Sequence, residues 1–253
     1  MTYGPNGRLA KLIHRHEGAL PAAGLIVEAL TAEKAGMEFV ALWCTAPRVA
    51  LLAALTTANM LMLVVWADLP MVSALQVAAA LQEATPERPL SSRCPPLALL
   101  GGEKPVHGFD GRKSGYGYRE AETILCAMEA NNGFGRRMYL ERHFPSDMVF
   151  PVLYGLTLAA MFLFLLGHYG WATRRIHYFV LAPLAAAGLD IMENIAVRAL
   201  VLSGPPPDAS LVQIASALTT AKYGLVLTSF SVILGMLVWY LVVQSLRATQ
   251  PLQ

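Results

Sequence analysis

Apolar residues gather along the chain into a few long runs separated by stretches of ordinary polarity. A helix needs about 20 predominantly apolar residues to cross the hydrocarbon core of a bilayer. Four runs meet that length. The first, residues 49–66, is bounded by Arg48 and Asp68 and holds Thr56, Thr57 and Asn59 but no charge. The second, 148–167, begins with Met148 and continues VFPVLYGLTLAAMFLFLL. The third, 176–202, is long and carries charges. The fourth, 223–243, closes near Trp239 and Tyr240, a pair suited to a membrane interface. Pro205, Pro206 and Pro207 separate the third from the fourth. The pattern predicts an all-α, polytopic membrane bundle of about four transmembrane helices.

Between and before these runs the pattern changes. Residues 1–48 read as a basic tail followed by an amphipathic segment. In residues 20–43, Glu28, Glu33, Lys34 and Glu38 interrupt the apolar positions. A charge at the bilayer centre costs roughly 2.5–3.5 kcal/mol. The segment is therefore read as lying on or beside the membrane, with a fifth span as the alternative. Residues 67–147 form the largest polar region, a helical extramembrane insertion. A helix is expected over 71–82 and an irregular Pro/Gly/Ser-rich excursion over 85–115. Two short helices are expected from Tyr116 onward, punctuated by Asn131, Asn132 and Gly133. Residues 244–253 form a C-terminal tail.

Composition supports this division. The chain is 55% hydrophobic and only 14% charged, against about 25% charged in soluble domains. A formal charge of +2 is too small to suggest a nucleic-acid partner. Arg8, Lys11 and Arg15 precede the first acid, Glu17. They suit a basic tail on the cytoplasmic or matrix side, or a weak mitochondrial address. No apolar run near Met1 has the form of a secretory signal. Together with Arg48, Arg174, Arg175 and Arg247, these cations put both termini on the cytoplasmic or matrix side. Arg136, Arg137 and Arg142 in the long insertion argue the other way, but long loops translocate largely regardless of charge. Cys44, Cys94 and Cys126 have no metal spacing. They read as free thiols, with a Cys94–Cys126 disulfide as the alternative if their loop faces an oxidising compartment.

The sharpest chemistry lies inside the third run. Asp190, Glu193 and Asn194 stand at i, i+3 and i+4, so they share one helical face, and Arg198 follows one turn later toward the same flank. Ionisable groups in a span face other helices and find partners there. At the usual helical rise, Asp190 lies roughly 21 Å into its span, in the outer half. Asp147 and Tyr154 on the second run and Lys222 at the entrance of the fourth fall at similar depth. Two readings of this cluster stand. One is a site for protons, a ligand or catalysis in the outer leaflet. The other is an ion-pair network that fixes helix packing. Pro151, Pro183 and the small run from Ala185 to Gly188 read first as packing devices.

The run Gly135-Arg-Arg-Met-Tyr139, then Asp147-x-x-Phe150-Pro151-x-x-Tyr154, then Asp190-x-x-Glu193-Asn194 resembles a family of small bacterial four-span membrane proteins of unassigned function. The resemblance covers Tyr116 to about Val243 and implies the four-span fold with an outer helical insertion. It brings no activity with it. The six histidines are scattered, and no HExxH, GxSxG, Walker motif or GxGxxG occurs. No cofactor, metal or catalytic residue is expected on those grounds. The function expected from the sequence is a non-catalytic accessory subunit of a larger membrane complex. An energy-transducing membrane suits it, the mitochondrial inner membrane or the bacterial cytoplasmic membrane, with the respiratory chain as the concrete case. Its partners would be the bilayer and other membrane subunits. The alternative is an intramembrane enzyme or transporter using the Asp190/Glu193/Asn194 stripe on a lipid or a proton-coupled substrate.

Overall fold

A computed structural model describes residues 45–84, 93–94, 108–109, 112–168 and 175–248. The chain divides into two units, Met1–Thr45 and Ala46–Gln253. The basic tail and the 20–43 segment lie outside the described residues, and so does most of the 85–115 excursion.

The described residues are helical, with no β-strand. Helix α1, Ala46–Met62, passes through a π-helical turn, Leu63–Asp68, into α2, Leu69–Ala84. Helix α3, Tyr118–Met138, passes through a second π-helical turn, Tyr139–His143, into α4, Phe144–His168. A 3-10 turn, Arg175–Val180, leads into α5, Leu181–Ser203, and α6 runs over Ala209–Ala248. Among the described residues, four helical stretches are long and apolar enough to cross a membrane: Ala46–Ala78, Asn132–Gly167, Tyr178–Ser203 and Ala209–Val243. The protein is a multi-pass helical membrane protein.

Helices continue where the sequence suggested ends. The two π-helical turns account for this. Each stands just before a proline, Pro70 or Pro145. Proline lacks an N–H and its ring clashes with the carbonyl four residues earlier. A widened turn absorbs that clash without breaking the helix. The expected joint at Asn131-Asn132-Gly133 falls inside α3, which does not end there. Asn132 (φ 57°) and Gly133 (φ 70°) adopt left-handed backbone inside an otherwise continuous helix, a conformation asparagine and glycine tolerate best. Helix α6 starts well before residue 223 because Asp208 caps it. The Asp208 carboxylate accepts a hydrogen bond from the Leu211 N–H at 2.9 Å.

Packing follows chain order: α1 lies on α4, α4 on α5, and α5 on α6, while α2 lies on α3. Two apolar cores result. One, the span core, joins Leu158, Phe162 and Leu166 of α4 to Ala186 of α5 and Ile233 of α6. The other, the lobe core, joins Leu75 of α2, Ile124, Leu125 and Met128 of α3, and Leu200 of α5 to Val212 of α6. On α3, Ala121, Ile124, Leu125 and Met128 recur at helical spacing, which gives the helix its buried face. At Gly155 the spans approach so closely that an added Cβ would stand 2.7 Å from the Ala187 Cβ.

The lobe also contains a covalent link. Cys94 and Cys126 form a disulfide with Cα atoms 5.6 Å apart, and both are buried. The free-thiol reading of these two residues is therefore corrected. Their proximity was not legible because the two cysteines stand 32 residues apart in the sequence.

Candidate functional site

The buried stripe of α5 is not uniformly apolar. Ala186 and Ala187 belong to the span core, Val197, Leu200 and Val201 to the lobe core, and Asp190, Glu193 and Asn194 fill the turns between. A polar layer thus separates the two cores. At the usual rise, Asp68 lies about 33 Å along its helix from Ala46, Asp147 about 32 Å from His168, and Lys222 about 32 Å from Val243. Each distance matches the hydrocarbon thickness of roughly 30 Å. On the third span the same ruler puts Asp190 about 18 Å from Tyr178, within the length of that span.

Lys222 ties this layer together. Its Nζ lies 2.7 Å from Asp190 Oδ1 and 2.5 Å from Glu193 Oε2. Glu193 is fully buried, and its other oxygen accepts a hydrogen bond from the Thr219 hydroxyl at 2.5 Å. Asn194 Nδ2 donates to the Asp147 carbonyl at 3.0 Å, joining α5 to α4. The Tyr154 hydroxyl is buried beside Asp190. Among the residues the sequence singled out, Asp147, Tyr154, Asp190, Glu193, Asn194 and Lys222 meet in one buried cluster. Arg198 does not join them. It is exposed, and its guanidinium carbon sits 5.0 Å from the centre of the Phe144 ring. One turn beyond Asn194 the α5 stripe has already become apolar, so a cation there gains more from an aromatic face than from burial.

Two further ionisable groups belong to the layer. His143 Nδ1 lies 2.6 Å from Asp68 Oδ1, and His143 Nε2 lies 3.8 Å from Asp147 Oδ2. The imidazole thus stands between a carboxylate of the first span and one of the second. Both newcomers come from the π-helical turns. The sequence offered two signals for them. His143 and Asp147 are spaced i,i+4, and Asp68 and His143 each precede a proline by two residues. Thr219, one turn before Lys222, went unnoticed because a lone threonine carries no pattern.

The cluster forms the floor of a cleft of about 320 Å³. Asp68, His143, Asp147, Asp190 and Lys222 stand at its polar end. Its apolar walls include Met60 and Leu63 from the first span, Phe150 from the second, and Val226 and Phe230 from α6. Met60 and Phe230 remain 45% and 54% exposed, so the mouth opens sideways, between α1 and α6, on the outer face of the bundle. Thr56, which also lines the cleft, shares a hydrogen bond with Thr157 at 2.7 Å and holds α1 against α4. Among the described residues no group of His, Cys, Asp and Glu is arranged to hold a metal ion. Comparison with known proteins finds no matching family model, no matching curated protein and no matching solved structure.

Proposed function

We propose that this protein binds a membrane amphiphile in the lateral cleft, with the polar end of that molecule held at the Asp68/His143/Asp147/Asp190/Lys222 floor. The cleft carries the reading. A pocket with ionisable groups at one end and apolar walls below, open toward the surface that faces lipid, matches a molecule with a polar head and an apolar tail. The Asp68–His143–Asp147 array supplies proton donors and acceptors beside the bound head. The cytoplasmic or matrix side remains the proposed location of both termini. The buried Cys94–Cys126 bridge supports it, because disulfides persist in oxidising compartments and the bridge belongs to the opposite end of the bundle.

One observation favours a second reading, an accessory subunit of a larger membrane assembly such as a respiratory-chain complex. Only 6% of the most apolar part of the first span is buried, which leaves a face that a partner helix would cover as well as lipid does. Native mass spectrometry of the full chain released from its membrane separates the two. The cleft reading predicts the 27.3 kDa chain plus a discrete small-molecule mass, lost in a Val226→Trp variant that fills the cleft. A bare chain in both samples contradicts that reading. Release with stoichiometric protein partners and no small molecule favours the subunit.

A further inference from the structure

The side chains that wall the cleft have a pattern of their own. Phe150 and Tyr154 stand four residues apart on α4, and Tyr223, Val226 and Phe230 stand at i, i+3 and i+7 on α6, so each helix turns one face to the cleft. Both faces carry aromatic rings. Phe150 and Tyr154 already pack ring against ring, with centroids 5.3 Å apart. Met60 of the first span also lines the cleft, and a thioether sulfur packs well against aromatic groups. A straight alkyl chain gains nothing special from such walls. A flat ring gains offset or edge-to-face contacts beyond its burial. The cleft volume of about 320 Å³ is at the small end for ligand sites, about 300–1,000 Å³. It suits one ring-sized head and the start of a tail.

The polar end adds a second constraint. Its charges are already paired, Lys222 Nζ with Asp190 at 2.7 Å and with Glu193, and His143 Nδ1 with Asp68 at 2.6 Å. A charged head, of either sign, has to compete for a member of these pairs while shedding its own water, and both steps are costly. A carbonyl oxygen is uncharged and accepts hydrogen bonds without needing a counter-charge. The Lys222 ammonium and the Tyr154 hydroxyl, both at the cleft lining, are groups of the donor type that it recognises.

We infer that the cleft selects amphiphiles whose polar end is an uncharged flat ring bearing carbonyl oxygens, the chemistry of a membrane quinone. The inference rests on the cleft reading above and names its class of ligand. The ring lies against the aromatic faces of α4 and α6, and a carbonyl turns toward Lys222 and Tyr154.

The test compares four probes with one tail: decyl-trimethylbenzoquinone, the matching decyl-trimethylbenzene without carbonyls, decylamine and decyl phosphate. The quinone ring is fully substituted so that it does not add thiols. Each probe is titrated against the purified full chain in an uncharged maltoside detergent, with the Val226→Trp variant as the blocked control. The expected result is saturable quinone binding at least about ten-fold tighter than any other probe. Phe150→Leu and Phe230→Leu keep an apolar side chain and remove a ring, so each should weaken quinone binding about three-fold or more. Phe230 is 54% exposed, so its variant decides the matter should Phe150→Leu fail to fold. Equal or tighter binding of the amine, the phosphate or the ring without carbonyls, still blocked by Val226→Trp, overturns the head-group inference and leaves the cleft reading intact. Quinone binding unchanged in Phe230→Leu overturns it as well. If no probe saturates, or Val226→Trp changes nothing, the cleft reading itself fails.

Discussion

A lysine ammonium away from water is stable only when its charge is matched nearby. Lys222 meets that condition through Asp190 and Glu193, and the reverse also holds: those two carboxylates depend on Lys222. Breaking a buried pair by removing one partner leaves an uncompensated charge and costs about 3–5 kcal/mol. Lys222→Met should therefore lower the thermal unfolding midpoint sharply in detergent, whereas Glu193→Gln, which keeps a hydrogen-bonding oxygen for Thr219, should lower it less. Equal midpoints for both variants and the parent would show that the pair does not hold the spans together. At this scale the α5 stripe was readable, because Asp190, Glu193 and Asn194 are adjacent on one helix. Asp68 and His143 were not, because their meeting depends on two helices whose relative placement is set by packing. Arg198 was misjudged because helical spacing gives the flank of a residue and not the partner it finds there.

At the scale of elements, prolines mark where the helices change pitch. Pro70 and Pro145 lie just beyond the two π-helical turns that carry Asp68 and His143 into the polar layer. Spans were easy to find from apolar length, but their ends were not. Hydropathy falls when a helix leaves the hydrocarbon, while its hydrogen bonding continues into the lobe. Helix contact was foreshadowed by the small residues from Ala185 to Gly188. What the sequence lacked was the partner, Gly155, which touches Ala187. Gly155→Leu should wedge α4 from α5 and destabilise the bundle by about 1–3 kcal/mol, read as a lower unfolding midpoint. No change would mean that the two helices are not in contact at that point. The disulfide acts on the lobe. Cys126→Ser should cost about 2–4 kcal/mol and should abolish the faster migration of the unreduced chain in denaturing gels. Identical migration of the parent with and without reductant would contradict the bridge.

At the scale of the whole molecule, the described residues form a bundle with two apolar cores, a polar layer between them, and a cleft that reaches that layer from the side. Its orientation is open to a direct test. A membrane-impermeant maleimide applied from the oxidising side should label Tyr118→Cys at the lobe end and spare Arg247→Cys at the other. The opposite pattern would invert the proposed topology.

We propose that a membrane amphiphile, and not a partner protein, occupies the cleft. A benzophenone amino acid placed at Val226 on the cleft wall, and separately at Leu227, which is 69% exposed on the lipid-facing surface, tests this in the native membrane. One dominant small-molecule adduct of defined mass is expected at Val226, and only a heterogeneous background at Leu227. Indistinguishable adducts at the two positions, or a crosslinked protein at Val226, would contradict it.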